Sequence, residues 1–107
     1  MAELLTTRMF RSAHQFLDRV SELLGERGKE YDSRKEERSA GKVAVAFNAI
    51  TGKDLTASEV WLILQLLKDV RQWSSPGYHR DSAEDSVAYA SLKAEALEEE
   101  SCRGTTD

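Results

Sequence analysis

The chain has 107 residues, 40% of them hydrophobic and 32% charged, which suits one domain that buries a core without disulfides or metal. Its formal net charge is −4. Residues 95–107 carry that whole excess, because residues 1–94 contain equal numbers of acidic and basic side chains. A neutral body with an acidic end excludes a broad duplex-DNA interface, since that affinity needs many phosphate-neutralising cations.

Cysteine and apolar content argue against two further classes of protein. Cys102 is the only cysteine, so no intrachain disulfide and no cysteine zinc site can form. No signal peptide is recognisable, and no apolar run is longer than that of residues 60–64, which is far shorter than the roughly 20 residues that span a bilayer. We expect a cytoplasmic protein with no membrane partner.

Two helices are predicted in the first half of the chain. Apolar residues at helical spacing predict the first over residues 7–24, with Gly25 as its end. The charge-rich residues 25–39 favour a solvated loop with frayed helix. Ser33 and Glu36 form a candidate capping box for the second helix, which Gly52 ends. Residues 43–47 could form a buried strand, but their apolar spacing favours helix.

The third helix has the clearest start. Thr56 and Glu59 form a capping box, and Leu55 and Val60 form a hydrophobic staple. The helix is predicted to run to about Trp73. Apolar residues cover most of its circumference, which predicts that the helix is buried on several sides. We expect it to lie at the centre of the domain, or to form a subunit interface as well.

The fourth helix is predicted from residue 81 or 82 to about residue 99. We expect residues 98–107 to be an acidic, disordered tail. The fold class is therefore all-α. We expect a four-helix bundle-like domain over residues 1–97, with the third helix central and the chain assembled as a homo-oligomer.

Candidate ligand-binding residues lie around the turn after the third helix. Lys68 and Arg71 are three positions apart and share one side of that helix. His79 and Arg80 follow across a short turn, where free backbone amides at a helix start favour phosphate. The alternative is that the two cations complement the helix dipole and that His79 is an ordinary surface histidine.

Other side chains nearby have two interpretations each. Asp81 and Asp85 could hold a divalent cation such as magnesium, or could be ordinary acids at a helix start. Trp61, Trp73 and Tyr78 could stack on a nucleotide base, or could pack in the core or at an interface. No strained serine elbow or glycine-rich phosphate loop is present, so nucleophilic catalysis has little support.

Residues 26–95 resemble a family of small phage and prophage proteins. The resemblance rests on short motifs in a fixed order: Arg27, Glu30-Tyr31-Asp32, residues 47–52, Leu55-Thr56, Glu59-Val60, Leu67-Lys68, Arg71, residues 79–82, Asp85 and Tyr89-Ala90. That family is in turn similar, more weakly, to the all-α nucleoside triphosphate pyrophosphatases of the MazG-like type. Those enzymes hold magnesium with four acids from two helices.

This sequence departs from both patterns. Asp32 and Ala88 stand where glycines are expected, and the first three predicted helices contain no Glu-x-x-Glu motif. The resemblance therefore implies nucleotide binding more than hydrolysis. We expect a phage-encoded protein that sequesters a host nucleotide, such as an immune signal, or a degenerate pyrophosphatase. The alternative is a helical inhibitor that binds a host defence enzyme.

Overall fold

The computed structural model describes residues 10–31 and 39–104, and these ranges contain four helices and no strand. The all-α prediction is confirmed, and the candidate strand at residues 43–47 lies inside a helix. In chain order the helices are α1 (Ala13–Tyr31), α2 (Ala40–Thr51), α3 (Ala57–Ser74) and α4 (Arg80–Gly104). None of them is long and apolar enough to cross a membrane.

Helices α3 and α4 form an antiparallel hairpin. The start of α3 meets the end of α4 where Ser58 contacts Glu100, and the later part of α3 meets the first half of α4 where Asp69 contacts Ser86. Helix α2 packs against α3, and α1 packs against α4. The predicted central helix thus shares its position with α4.

The core lies at one end of this hairpin. Trp61 is buried there and stacks on Tyr89 of α4, with ring centroids 5.7 Å apart. Small side chains from α2 and α4 let the helices approach closely around it. We call this region the apolar end; its buried members are Ala40, Ala44, Val60, Trp61, Leu92 and Ala96.

Local signals fix the ends of α2 and α3. The predicted capping box is confirmed, since Thr56 Oγ1 accepts from the Glu59 amide and the Glu59 carboxylate accepts from the Thr56 amide. Gly52 ends α2 as predicted and has a left-handed φ of 73°, which glycine adopts without a steric penalty. The candidate box of Ser33 and Glu36 lies outside the described residues.

The predicted limits of α1 were wrong. The helix begins at Ala13, after a capping box in which the Ser12 and Gln15 side chains each accept from the other residue's amide. It continues through Gly25 to Tyr31. Unlike Gly52, Gly25 keeps a negative φ, and an internal glycine costs a helix only about 1 kcal/mol. Residues 7–9 lie outside the described ranges.

Helix α4 also extends beyond its predicted end. It reaches Gly104, so residues 98–104 are helical where a disordered tail was expected. The Glu100 carboxylate accepts hydrogen bonds from the Ser58 amide at 3.0 Å and from its hydroxyl at 2.7 Å. Because an amide at the start of α3 has no partner within its own helix, this carboxylate satisfies it and joins the ends of the hairpin.

The described residues bury little apolar surface for a chain of this length. Eight hydrophobic side chains are buried, four of them alanines, whereas fourteen large hydrophobic side chains in the same ranges are exposed. Among the described residues, helix α3 is therefore covered on one side only, and not on several sides as its apolar circumference predicts. We call its exposed stripe the open α3 face; it consists of Leu62, Ile63, Leu66, Leu67, Val70 and Trp73.

Candidate functional site

The other half of the hairpin is held by polar contacts. Lys68 Nζ lies 2.9 Å from Asp85 Oδ2, and both side chains are half-buried. One position further, the Ser86 hydroxyl donates to Asp69 at 3.1 Å. Gln65 Oε1 is buried without a hydrogen-bond partner in the described part of the chain. We call residues 65–86 the polar end.

Gln72 holds the turn between the two helices. Its side-chain amide donates to the Gly77 carbonyl at 3.2 Å and accepts from the His79 backbone amide at 2.9 Å. One side chain thus fixes both sides of the turn. This places the last turn of α3, which carries Arg71, beside the first turn of α4.

His79 takes the place of a capping side chain at the start of α4. Its Nδ1 atom lies 3.3 Å from the Ser82 backbone nitrogen and 2.6 Å from the Ser82 hydroxyl. The His79 carbonyl also accepts the Ala83 amide, which begins the helical hydrogen-bond ladder. Ser82 is 1% exposed, whereas His79 is exposed, so the imidazole lies over a buried hydroxyl at the protein surface.

Glu84 is the buried carboxylate of the site. Its Oε2 atom accepts from Arg11 Nη1 at 2.8 Å and from Arg80 Nε at 3.3 Å. Burial raises the pKa of Glu84, but the hydrogen bonds and charges of Arg11 and Arg80 together outweigh it, and its pKa lies below the ordinary value of 4.5. The ionised form of Glu84 therefore stabilises the fold.

Arg11 brings α1 to this site and was missed by sequence reasoning. It donates to Tyr78 Oη at 3.4 Å as well as to Glu84, and these hydrogen bonds raise the pKa of Arg11 above its ordinary value. Its guanidinium also lies 4.1 Å from the centroid of the Phe16 ring. The Arg80–Glu84 pair could be recognised from its i, i+4 spacing. No local pattern indicates the contact of Arg11 with Glu84, because 73 positions separate them.

The predicted phosphate-binding residues all lie at this end of the hairpin, but they differ in how many of their donors are already in use. Lys68 is engaged by Asp85. Arg80 is exposed and uses only Nε on Glu84, so its Nη atoms have no partner among the described residues. Arg71 is also exposed, and within those residues its guanidinium has no ion pair or hydrogen bond.

The three aromatic candidates for base stacking differ clearly in their exposure. Trp61 is only 6% exposed and one face of its ring lies against Tyr89, so this residue belongs to the core and leaves no room for a base. Trp73 is 85% exposed and Tyr78 is 65% exposed. These two flank the turn and remain available for stacking.

The acidic candidates do not form a metal cage in the described ranges. Asp81 is exposed in the first turn of α4, and Asp85 lies against the ammonium of Lys68. A cation at Asp85 would have to compete with that ammonium. The described residues contain no group of three or more His, Cys, Asp or Glu side chains placed to hold a metal ion.

Comparison with known proteins places the chain in a family. The model of the DUF6378 family, a domain of unknown function, matches residues 15–97, so the chain belongs to that family. The matched segment includes all four described helices in whole or in part. A search of curated proteins and a search of solved structures found no match.

Glu84 gives the site a testable pH dependence. Because its folded pKa is depressed, its stabilising effect is present above the unfolded pKa and is lost as the pH falls through the folded pKa. We expect Glu84→Gln to lower the free energy of unfolding at neutral pH and to lose less stability than the parent between about pH 5 and 3. Urea unfolding by circular dichroism at several pH values measures both effects.

Glu22→Gln is the matched control, since it neutralises an exposed carboxylate whose ion pair with Arg19 lies within α1. This variant should follow the pH dependence of the parent. Identical acid sensitivity in Glu84→Gln and the parent would contradict the conclusion that ionised Glu84 stabilises the fold.

Proposed function

We propose that the protein binds a nucleotide, and that the polar end holds its phosphate groups. The proposal is supported chiefly by one observation: Arg71 and Arg80 lie on adjoining helix ends, and both are exposed guanidinium groups with donors that have no partner among the described residues. Guanidinium groups bind phosphate through paired N–H donors with good geometry. His79 supplies a further donor nearby, and so do the backbone amides of Arg80 and Asp81, which have no partner among the described residues.

Lys68 has a second role in this proposal. Its ammonium joins α3 to α4 through Asp85 and adds positive charge behind the two arginines. It can reach a phosphate only by sharing or leaving that carboxylate. The base would stack on Trp73 or Tyr78, the two exposed aromatic side chains beside the turn.

The biological setting belongs to the same proposal. We infer a phage-encoded protein that sequesters a nucleotide in the cytoplasm of the infected host, in line with its resemblance to phage and prophage proteins. A degenerate pyrophosphatase is the version of this proposal that includes turnover. Magnesium-dependent release of pyrophosphate would identify that version.

Arg71→Ala tests the phosphate site most cleanly, because it removes no hydrogen bond or ion pair among the described residues. A panel of nucleoside triphosphates, cyclic nucleotides and inorganic triphosphate is screened by thermal shift, and hits are titrated by calorimetry. A ligand at 100 times its dissociation constant adds about 2.7 kcal/mol to the parent's stability. We expect Arg71→Ala to bind the same hit roughly 10- to 100-fold more weakly, as the loss of a charge-assisted hydrogen bond predicts.

Arg103→Ala is the control, since it removes an exposed arginine at the far end of α4. It should bind as the parent does, and both variants should unfold within about 1 kcal/mol of the parent. Equal ligand binding by parent and Arg71→Ala would place the site elsewhere. Absence of binding across the whole panel would overturn the proposed function.

We also propose that the open α3 face is covered from Leu62 to Val70 by a second copy of the chain, which leaves Trp73 exposed beside the turn. The described residues bury too few large apolar side chains to make a stable monomer easily, so a permanent partner is favoured over a transient one. Each large apolar side chain that becomes fully buried contributes about 1.5–3 kcal/mol. Residues 1–94 are neutral overall, so two copies do not repel strongly.

Light scattering over a dilution series tests this assembly. The parent should be at least a dimer at micromolar concentration, and Leu66→Glu on the open α3 face should shift it to monomer. Val45→Glu, at a more exposed apolar position on α2, should leave the assembly intact. A parent that stays monomeric and stable at high micromolar concentration would instead favour a different protein as partner, such as the host enzyme of the alternative function.

A further inference from the structure

The contacts of His79 define which of its ring nitrogens carries the proton. A backbone amide can only donate, and the Ser82 amide points at Nδ1 from 3.3 Å. Nδ1 is therefore the acceptor, and the Ser82 hydroxyl, 2.6 Å from the same atom, donates to it as well. Two donors on one nitrogen leave the proton of the neutral ring on Nε2.

This arrangement is held by a residue that cannot itself meet a ligand. Ser82 is 1% exposed, so its hydroxyl has no access to solvent and serves the imidazole. The backbone amide of His79 is separately held by Gln72, which limits movement of the ring along the turn. His79 is exposed, and its Nε2 atom has no hydrogen-bond partner among the described residues, at the end of the hairpin that carries Arg71 and Arg80.

We propose that Ser82 is a positioning residue that keeps Nδ1 of His79 as an acceptor, so that the neutral form of the ring carries its proton on Nε2 and donates from there. His79 then meets an anion as a hydrogen-bond donor, and not as a general base or as a metal ligand. The inference about the ring stands on the Ser82 contacts alone, whereas the role toward phosphate rests on the proposed function. The two parts can be tested separately.

Nitrogen NMR of the imidazole tests the first part without any ligand. In a pH series that reaches the neutral ring, Nδ1 of the parent should give the signal of an unprotonated nitrogen and Nε2 that of a protonated one. Ser82→Ala should increase the fraction of the other tautomer. Ser86→Ala, which removes a hydroxyl one turn later that contacts Asp69, is the matched control and should leave the ratio unchanged.

Two isosteric replacements test the second part. His79→Asn keeps an acceptor near the position of Nδ1 and lacks the outer donor, so it should retain the parent's stability and bind inorganic triphosphate roughly 2- to 10-fold more weakly. His79→Gln keeps a donor near the position of Nε2 and lacks the capping acceptor, so its stability should fall below that of the parent and of His79→Asn.

The outcomes separate the two proposals. A proton on Nδ1 in the parent, or equal tautomer ratios in Ser82→Ala and Ser86→Ala, overturns the positioning role. Equal triphosphate binding by His79→Asn and the parent overturns the donor role. A parent that binds no triphosphate overturns the proposed function, while the ring-nitrogen signals still decide the role of Ser82.

Discussion

The stacking of Trp61 of α3 on Tyr89 of α4 is the contact on which the positions of the other helices and of the turn depend. It anchors the hairpin at the apolar end, where α2 supplies small side chains and Glu100 joins the two helix ends. The same two helices extend from this core to the polar end, and the packing at the core fixes their relative position. The hairpin thereby positions the turn residues, and the contacts of His79 and Glu84 at the polar end add to its stability.

The polar end has a composition that stability alone does not explain. Half-buried ion pairs such as Lys68–Asp85 gain little net free energy, because both groups lose hydration when they pair. The buried and unpartnered Gln65 oxygen is a further cost in the described chain. Apolar side chains between the two helices would make a tighter hairpin, whereas Leu66, Leu67, Val70 and Trp73 of the same segment are exposed. The polar contacts between α3 and α4 agree with the proposed phosphate site.

Local chemistry in the sequence predicted the helices well where the signal lay within one turn. The capping box at Thr56 and the left-handed Gly52 were both readable, because each depends on residues within a few positions. Gly25 misled the prediction, since a glycine ends a helix only where the backbone needs a positive φ. The box of Ser12 and Gln15 was present in the sequence and marked the true start of α1.

The candidate site was less predictable, because its main contacts join distant parts of the chain. The sequence brought together Lys68, Arg71, His79 and Arg80 through a short turn. It gave no indication that Arg11 would reach Glu84 or that Glu100 would cap α3, since both depend on how the helices pack. It also could not separate Trp61 in the core from Trp73 at the surface, as both lie on a helix that is apolar almost all round.

If the proposed phosphate site is correct, the two ends of one hairpin have different roles, a core at one end and an anion site at the other. Amide chemical-shift mapping with ATP and with inorganic triphosphate tests this residue by residue. We expect shifts concentrated at residues 71–73 and 78–82 with both ligands, with further shifts at the indole of Trp73 or the ring of Tyr78 for ATP only. Amides at residues 57–64 and 92–100 should not shift. Shifts centred on that apolar end, or no shift at high concentrations of either ligand, would contradict the proposed site.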